Sequence, residues 1–151
     1  MAPGIEERET VQTLEQQRAQ SAWARVSEFV DAAGSSSRKA QDYRSVIRKI
    51  PAMIGVNGFG QTLAFLLSKE GRDARALTPA KAEGRVYKDM EDWLLSAESP
   101  VAWNTQAGTL IERIITEDSV VYRQATQESL AYVVWLKRFA EALVGKDADH
   151  D

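Results

Sequence analysis

The stretch Leu130-Ala131-Tyr132-Val133-Val134-Trp135-Leu136, followed by Lys137-Arg138-Phe139, decides the fold. It lies inside a longer segment, from Ser119 to about Val144, in which Val121, Ala125, Tyr132, Leu136, Phe139 and Leu143 recur at helical spacing before Gly145 stops the pattern. A single apolar stripe would make an ordinary surface helix. The seven residues from Leu130 are instead apolar nearly all round, and a helix apolar on every side is covered on every side. The segment is either the central helix of a bundle or a helix that also lends a surface to a neighbouring protein. Trp135 suits both roles.

The same periodicity recurs upstream. Thr13 with Gln16 three residues on reads as a capping box, and Val11, Leu14, Ala22, Val26, Phe29 and Ala33 then mark a long first helix as far as Gly34. Gly34-Ser35-Ser36-Ser37 is a connector. Tyr43, Val46, Ile47 and Ile50 place a second helix from about Ala40 to Lys49, ending at Pro51, because a proline disfavours α geometry in the residue before it. Pro51 can then open a short third helix as its first residue. Asn57-Gly58 is a turn or helix C-cap, and Gln61 to Ser68 forms a compact apolar helix ending near Gly71. Thr78-Pro79 marks another helix start, with Val86, Met90, Leu94 and Ala97 behind it, and Ser99-Pro100 interrupts the chain. Leu110, Ile111, Ile114 and Ile115 predict a shorter helix, although their β-branched run also admits a strand. The expectation is an all-α, single-domain helical bundle with long first and last helices. Its parts would be an N-terminal arm over 1–12, one helical domain over 13–145 and an acidic disordered tail over 146–151.

Composition narrows the chemistry. The 151 residues suit one domain, and 44% apolar with 27% charged residues is ordinary for a chain that folds. There is no cysteine, which removes disulfides, thiolate nucleophiles and cysteine zinc sites. The single histidine, His150, stands in the acidic tail, so histidine triads and proton relays are excluded within one subunit. Catalytic residues, metal ligands and cofactors are accordingly not expected. No apolar run approaches the ~20 residues of a membrane span, nor does the start of the chain resemble a signal peptide, which makes the cytoplasm the expected location.

Net charge is −3, which argues against an autonomous nucleic-acid binder of the usual basic kind. The charge is uneven, however. Residues 32–72 carry seven basic and two acidic side chains, whereas 1–31 and 73–121 are acidic. A local basic region on an acidic protein suits a subunit that touches an anion once other chains hold it in place.

Individual motifs carry less chemistry than they first suggest. Gly55-Val56-Asn57-Gly58-Phe59-Gly60 invites a phosphate-loop reading, but no Gly-Lys-Ser/Thr follows and no strand precedes it. A tight connection between helices, or a close backbone contact with a partner, fits better. Asp89, Glu91 and Asp92 are more economically a solvated helix face than a metal site, and Glu117 with Asp118 suits the positive end of the last helix's dipole. Arg18 and Arg25 fall about 20° apart on one shoulder of the first helix and could clamp successive phosphates. Arg44 and Arg48 share a face at i, i+4 with Lys49 nearby, a repulsive arrangement unless an anion offsets it.

Three blocks resemble a known family. Thr13-Leu14-Glu15-Gln16-Gln17-Arg18 opens the first helix. Ile50-Pro51-Ala52-Met53-Ile54 leads through Asn57-Gly58-Phe59-Gly60 into Gln61-Thr62-Leu63-Ala64-Phe65-Leu66. Leu130-Ala131 precedes Trp135-Leu136-Lys137-Arg138-Phe139-Ala140. Together, over about residues 13–144, they are similar to the small subunit of the Cmr complex, the type III-B CRISPR effector of antiviral defence. The resemblance implies an all-helical, non-enzymatic protein repeated along a helical ribonucleoprotein filament. It would pack beside backbone and large subunits and copies of itself, and help hold target RNA paired with guide RNA, with no membrane or small-molecule partner. Carried onto this sequence, it makes Arg18, Lys49, Lys69, Lys137 and Arg138 the expected RNA-facing residues. Arg25, Arg44 and Arg48 are secondary basic candidates, and Phe59 and Val134 are candidate protein contacts, with burial in the monomer's own core as the equal alternative for Phe59. The alternative is a helical adaptor that binds only protein.

Overall fold

The computed structural model describes residues 11–145, so the arm up to residue 10 and the acidic tail with His150 lie outside the described residues. Six α-helices are described: α1 (Leu14–Ala33), α2 (Arg38–Asn57), α3 (Phe59–Glu70), α4 (Ala82–Leu94), α5 (Leu110–Thr116) and α6 (Ser119–Leu143), with a 3₁₀ turn at Ala74–Ala76. Among the described residues there is no strand, which settles Leu110 to Thr116 as a helix. The fold is the all-α, single-domain bundle expected.

Local signals set most boundaries. The Thr13 hydroxyl accepts from the Gln16 backbone N–H (3.1 Å), and the Gln16 side chain accepts from the Thr13 N–H (2.8 Å). Thr109 and Glu112 repeat this box at α5, and the Asp118 side chain accepts from the Val121 N–H at α6. Small shifts set α2 at Arg38 and α3 at Phe59, each two residues early, and end α4 at Leu94 before Ala97, and two boundaries differ by more. α2 does not end at Pro51 but runs through it to Asn57. A proline costs one hydrogen bond to the carbonyl four residues back, and burial of Ile50 and Ile54 on either side offsets that loss. α4 starts at Ala82 rather than at Thr78-Pro79, because the Glu70 carboxylate takes the N–H groups of Ala80 and Lys81 and holds that approach extended.

α6 is the central helix. It packs against α1, α2 and α4, burying Val121, Ala125, Tyr132, Val133, Leu136 and Ala140. The contacts Arg18–Glu128, Ser21–Tyr132 and Trp23–Phe139 advance together along both helices, so α1 and α6 run parallel. α3 and α5 close the other end. There the glycine-rich turn has a defined purpose: Gly58, at φ +88°, ends α2 and starts α3, and the Tyr122 hydroxyl of α6 accepts the Gly60 N–H at 2.9 Å. A β-carbon on Gly60 would lie 3.4 Å from that hydroxyl. The turn is therefore a close approach between helices, and Phe59, which follows the cap, is fully buried. That placement corrects the reading of Phe59 as a projecting protein contact: it belongs to the monomer's own core.

Candidate functional site

The charged side chains divide into two groups. The first points inward. Asp89 on α4 is completely buried and accepts from Arg25 Nε at 2.8 Å, Arg85 Nε at 2.9 Å and the Tyr43 hydroxyl. Burial pushes its carboxyl above the ordinary aspartate value even though Arg85 and Arg25 pull the other way. Burial, then the Asp89 charge, raises the Tyr43 phenol well above its usual value. Glu128 on α6 accepts a bidentate pair from Arg18 at 2.7 and 2.6 Å and a third bond from Trp93 Nε1 at 2.9 Å. The Glu128 hydrogen bond holds Arg18 above its ordinary value against desolvation. Glu91 receives the Tyr87 hydroxyl, the Leu110 N–H and Lys88. Asp89 and Glu91 are thus not a solvated face but buried acceptors whose oxygens are taken by donors from several helices. Asp92 alone of the three is exposed, pairing with Arg25 and Lys88.

This division sorts the expected RNA-facing residues. Arg18 is 15% exposed and committed to Glu128 and Glu15, and Arg25 to Asp89 and Asp92. Their guanidinium groups hold α1 to α6 and α4 instead of lining an open edge. Arg48 reaches Glu141 at 3.7 Å, and Arg44 donates to Gln41. Lys49, Lys69 and Arg138 are exposed and Lys137 half-buried, and among the described residues none of the four has a carboxylate within ion-pair distance. Lys69 sits 5.6 Å from the Phe65 ring centre. These four come from α2, α3 and α6 and do not converge on one spot. Val134 is half exposed beside Trp135 and Arg138, where α6 passes the start of α1, so α6 is both central and surface-forming there.

Two lysines that sequence reasoning passed over lie with Lys49. Lys39 on α2 and Lys81 at the start of α4 line the same depression of about 400 Å³. Lys39 and Lys49 stand ten residues apart on α2, a spacing of nearly three helical turns that was the available signal. Lys81 had none, being brought there by the Glu70 contact described above.

The pattern for CRISPR-associated protein (Cas_Cmr5) matches residues 14–143, from the first residue of α1 to the last of α6. The Cmr subunit Cmr5 of the CRISPR system of Thermus thermophilus is 28% identical over 134 residues, covering 89% of this chain and 98% of that protein. The X-ray crystal structure of a CRISPR-associated Cmr5 family protein from the same organism superposes with a TM-score of 0.62 at 25% identity, covering 89% of this chain and all of that one. The matched span holds every α-helix described and, but for Thr13, all three sequence blocks, and on it the chain belongs to the Cmr5 family of CRISPR-associated proteins, the small subunits of Cmr complexes.

Proposed function

We propose that this chain is a non-catalytic architectural subunit of a type III-B RNA-guided effector in the cytoplasm. It packs along the filament beside the backbone and large subunits and neighbouring copies of itself, and helps hold guide and target RNA through outward-facing cations. The observation that carries this reading is the family match over the whole helical domain. It is supported by the split of charges: the buried carboxylates are occupied by internal donors, while Lys49, Lys69, Lys137 and Arg138 face outward without acidic partners among the described residues. Phosphate contacts from such residues hold a strand without reading its sequence.

Three measurements test it. The purified chain should leave RNA uncut, and tagged protein recovered from its source cell should carry the other Cmr subunits and RNA. Lys137→Glu with Arg138→Glu should weaken single-stranded RNA binding and lower its log–log salt slope by about 0.7 for each phosphate that is no longer neutralised. An unchanged slope in the folded double variant would favour an adaptor that binds only protein, a reading to which the exposed Val134 and Trp23 lend themselves.

A further inference from the structure

We propose that Lys39, Lys49 and Lys81 form a seat for the phosphodiester backbone of RNA, in the groove where α2 passes the start of α4. The inference rests on the RNA-holding reading above and adds a seat on α2 and α4 to the contacts at the Lys137 and Arg138 end of α6.

About half of the described Lys and Arg side chains are neutralised internally: Arg18, Arg25, Arg38, Arg48, Arg72, Arg75, Arg85 and Lys88 each have a carboxylate within 4 Å. Lys39, Lys49 and Lys81 have none among the described residues, yet all three line one depression of about 400 Å³. Two carboxylates share that lining. Asp42 is engaged by Arg38 at 3.1 Å, which leaves Glu83 as the single unneutralised acid facing three ammonium groups. Like charges gathered in a concavity repel one another, and walls that exclude water focus their field outward. An anion seated among them removes the repulsion.

The shape indicates which anion. A second hollow of about 220 Å³ adjoins the first and shares Lys39, Ala80 and Lys81 with it, continuing past Arg85. The carboxylate on that side, Glu28, is paired with Arg85 at 3.5 Å. Two adjoining hollows with a shared cationic wall suit successive phosphates of a strand better than one compact anion. Lysine ammonium groups, flexible and with three donors each, accept phosphates in many orientations, and the Ser45 hydroxyl in the lining adds another donor.

The test uses the full chain, a labelled oligouridine and fluorescence anisotropy across a salt series. Lys39→Ala/Lys49→Ala/Lys81→Ala is compared with Lys137→Glu/Arg138→Glu, and circular dichroism confirms that both are folded. All three lysines are exposed, so their truncation leaves the core untouched. The expected result is that the triple variant lowers the salt slope by about 2, at about 0.7 per phosphate contact. In wild type the oligouridine should also protect these lysines from acetylation. A triple variant with the wild-type slope, beside a double variant with a reduced one, overturns the seat and leaves the RNA reading standing. Failure of the wild type to bind at any salt overturns both. Protection of the three lysines by inorganic phosphate but not by oligouridine reassigns the groove to a free anion and overturns the proposal.

Discussion

Asp89 has no exposed surface, yet three side chains from three helices converge on its carboxylate: Arg25 of α1, Tyr43 of α2 and Arg85 of α4 itself. Without Asp89, the buried Tyr43 hydroxyl loses its acceptor and Arg25 and Arg85 keep only the more exposed Asp92 and Glu28, and breaking a buried pair in this way costs about 3–5 kcal/mol. Asp89→Ala should therefore destabilise the fold by that amount in urea denaturation. Asp92→Ala, at an exposed and shared ion pair, should cost under about 1 kcal/mol. Equal losses at the two positions would mean that the buried carboxylate carries no special weight. The pH dependence of Asp89 has a definite sign. Its folded value lies above the unfolded one, so its contribution is fully present below the unfolded value near 3.8 and is lost as pH rises through the raised value. Gly84 shows a different constraint: a β-carbon there would lie 2.0 Å from Glu70 Oε1, the atom that holds the approach to α4. Gly84→Ala must displace Glu70, and with it the ordered path that delivers Lys81 to its groove.

Among the helices, what the sequence revealed depended on how far apart the interacting residues stand. The capping boxes at Thr13/Gln16 and Thr109/Glu112 span three residues, so α1 and α5 could be read locally. The start of α4 could not, because Glu70 acts on Ala80 and Lys81 from ten and eleven residues away. The inward commitment of Arg18 and Arg25 was hidden for the same reason: Glu128 and Asp89 lie 110 and 64 residues distant. At Pro51 the local penalty is legible in the sequence, whereas the burial of Ile50 and Ile54 that outweighs it is not. That penalty persists, so Pro51→Ala should raise the stability of α2 by about 2 kcal/mol, the helix gain being partly offset by greater freedom of the unfolded chain. A fall in melting temperature instead would show that Pro51 itself is needed for packing. The junction of α5 and α6 has its own acid response. The Thr109 backbone N–H lowers Glu112, and the Val121 N–H lowers Asp118; at Glu117 desolvation is the largest single influence and raises the value, but the bonds from Asn104, Thr105 and Asp118 together outweigh it and lower it. Depressed values stabilise above the ordinary carboxylate range and cease to do so as pH falls through the folded values. Amide exchange measured between about pH 5 and 2 should therefore show residues 104–121 becoming unprotected before the centre of α6. A uniform response would refute a local acid-labile cap.

At the scale of the whole molecule, a net charge of −3 is set against the polyanionic ligand proposed for it. A handful of unpaired lysines on one such subunit gives weak, salt-sensitive binding, whereas copies held in register pool their contacts through effective concentration. Holding copies or partners in place needs surface that the monomer does not bury. Phe59 is not available for this, and its placement yields an expectation about stability alone: Phe59→Ala should cost about 3–5 kcal/mol, as a fully buried phenylalanine does. The seam between α1 and α6 is available. Trp23 is 48% exposed and Val134 50% exposed, and Phe139 touches both Trp23 and Trp135, with ring centres 5.2 and 5.6 Å apart. Aromatic residues that pack on one another while still facing solvent are the kind that dominate binding energy when a partner excludes the water. Val134→Glu should then change monomer stability by no more than about 0.5 kcal/mol, as exposed substitutions do. It should nevertheless deplete the tagged subunit of its co-purifying proteins. Full recovery of the complex with Val134→Glu would clear this seam of any part in assembly and leave the apolar groove between α3 and α5, lined by Ala64, Ile111 and Ile115, as the face to probe next.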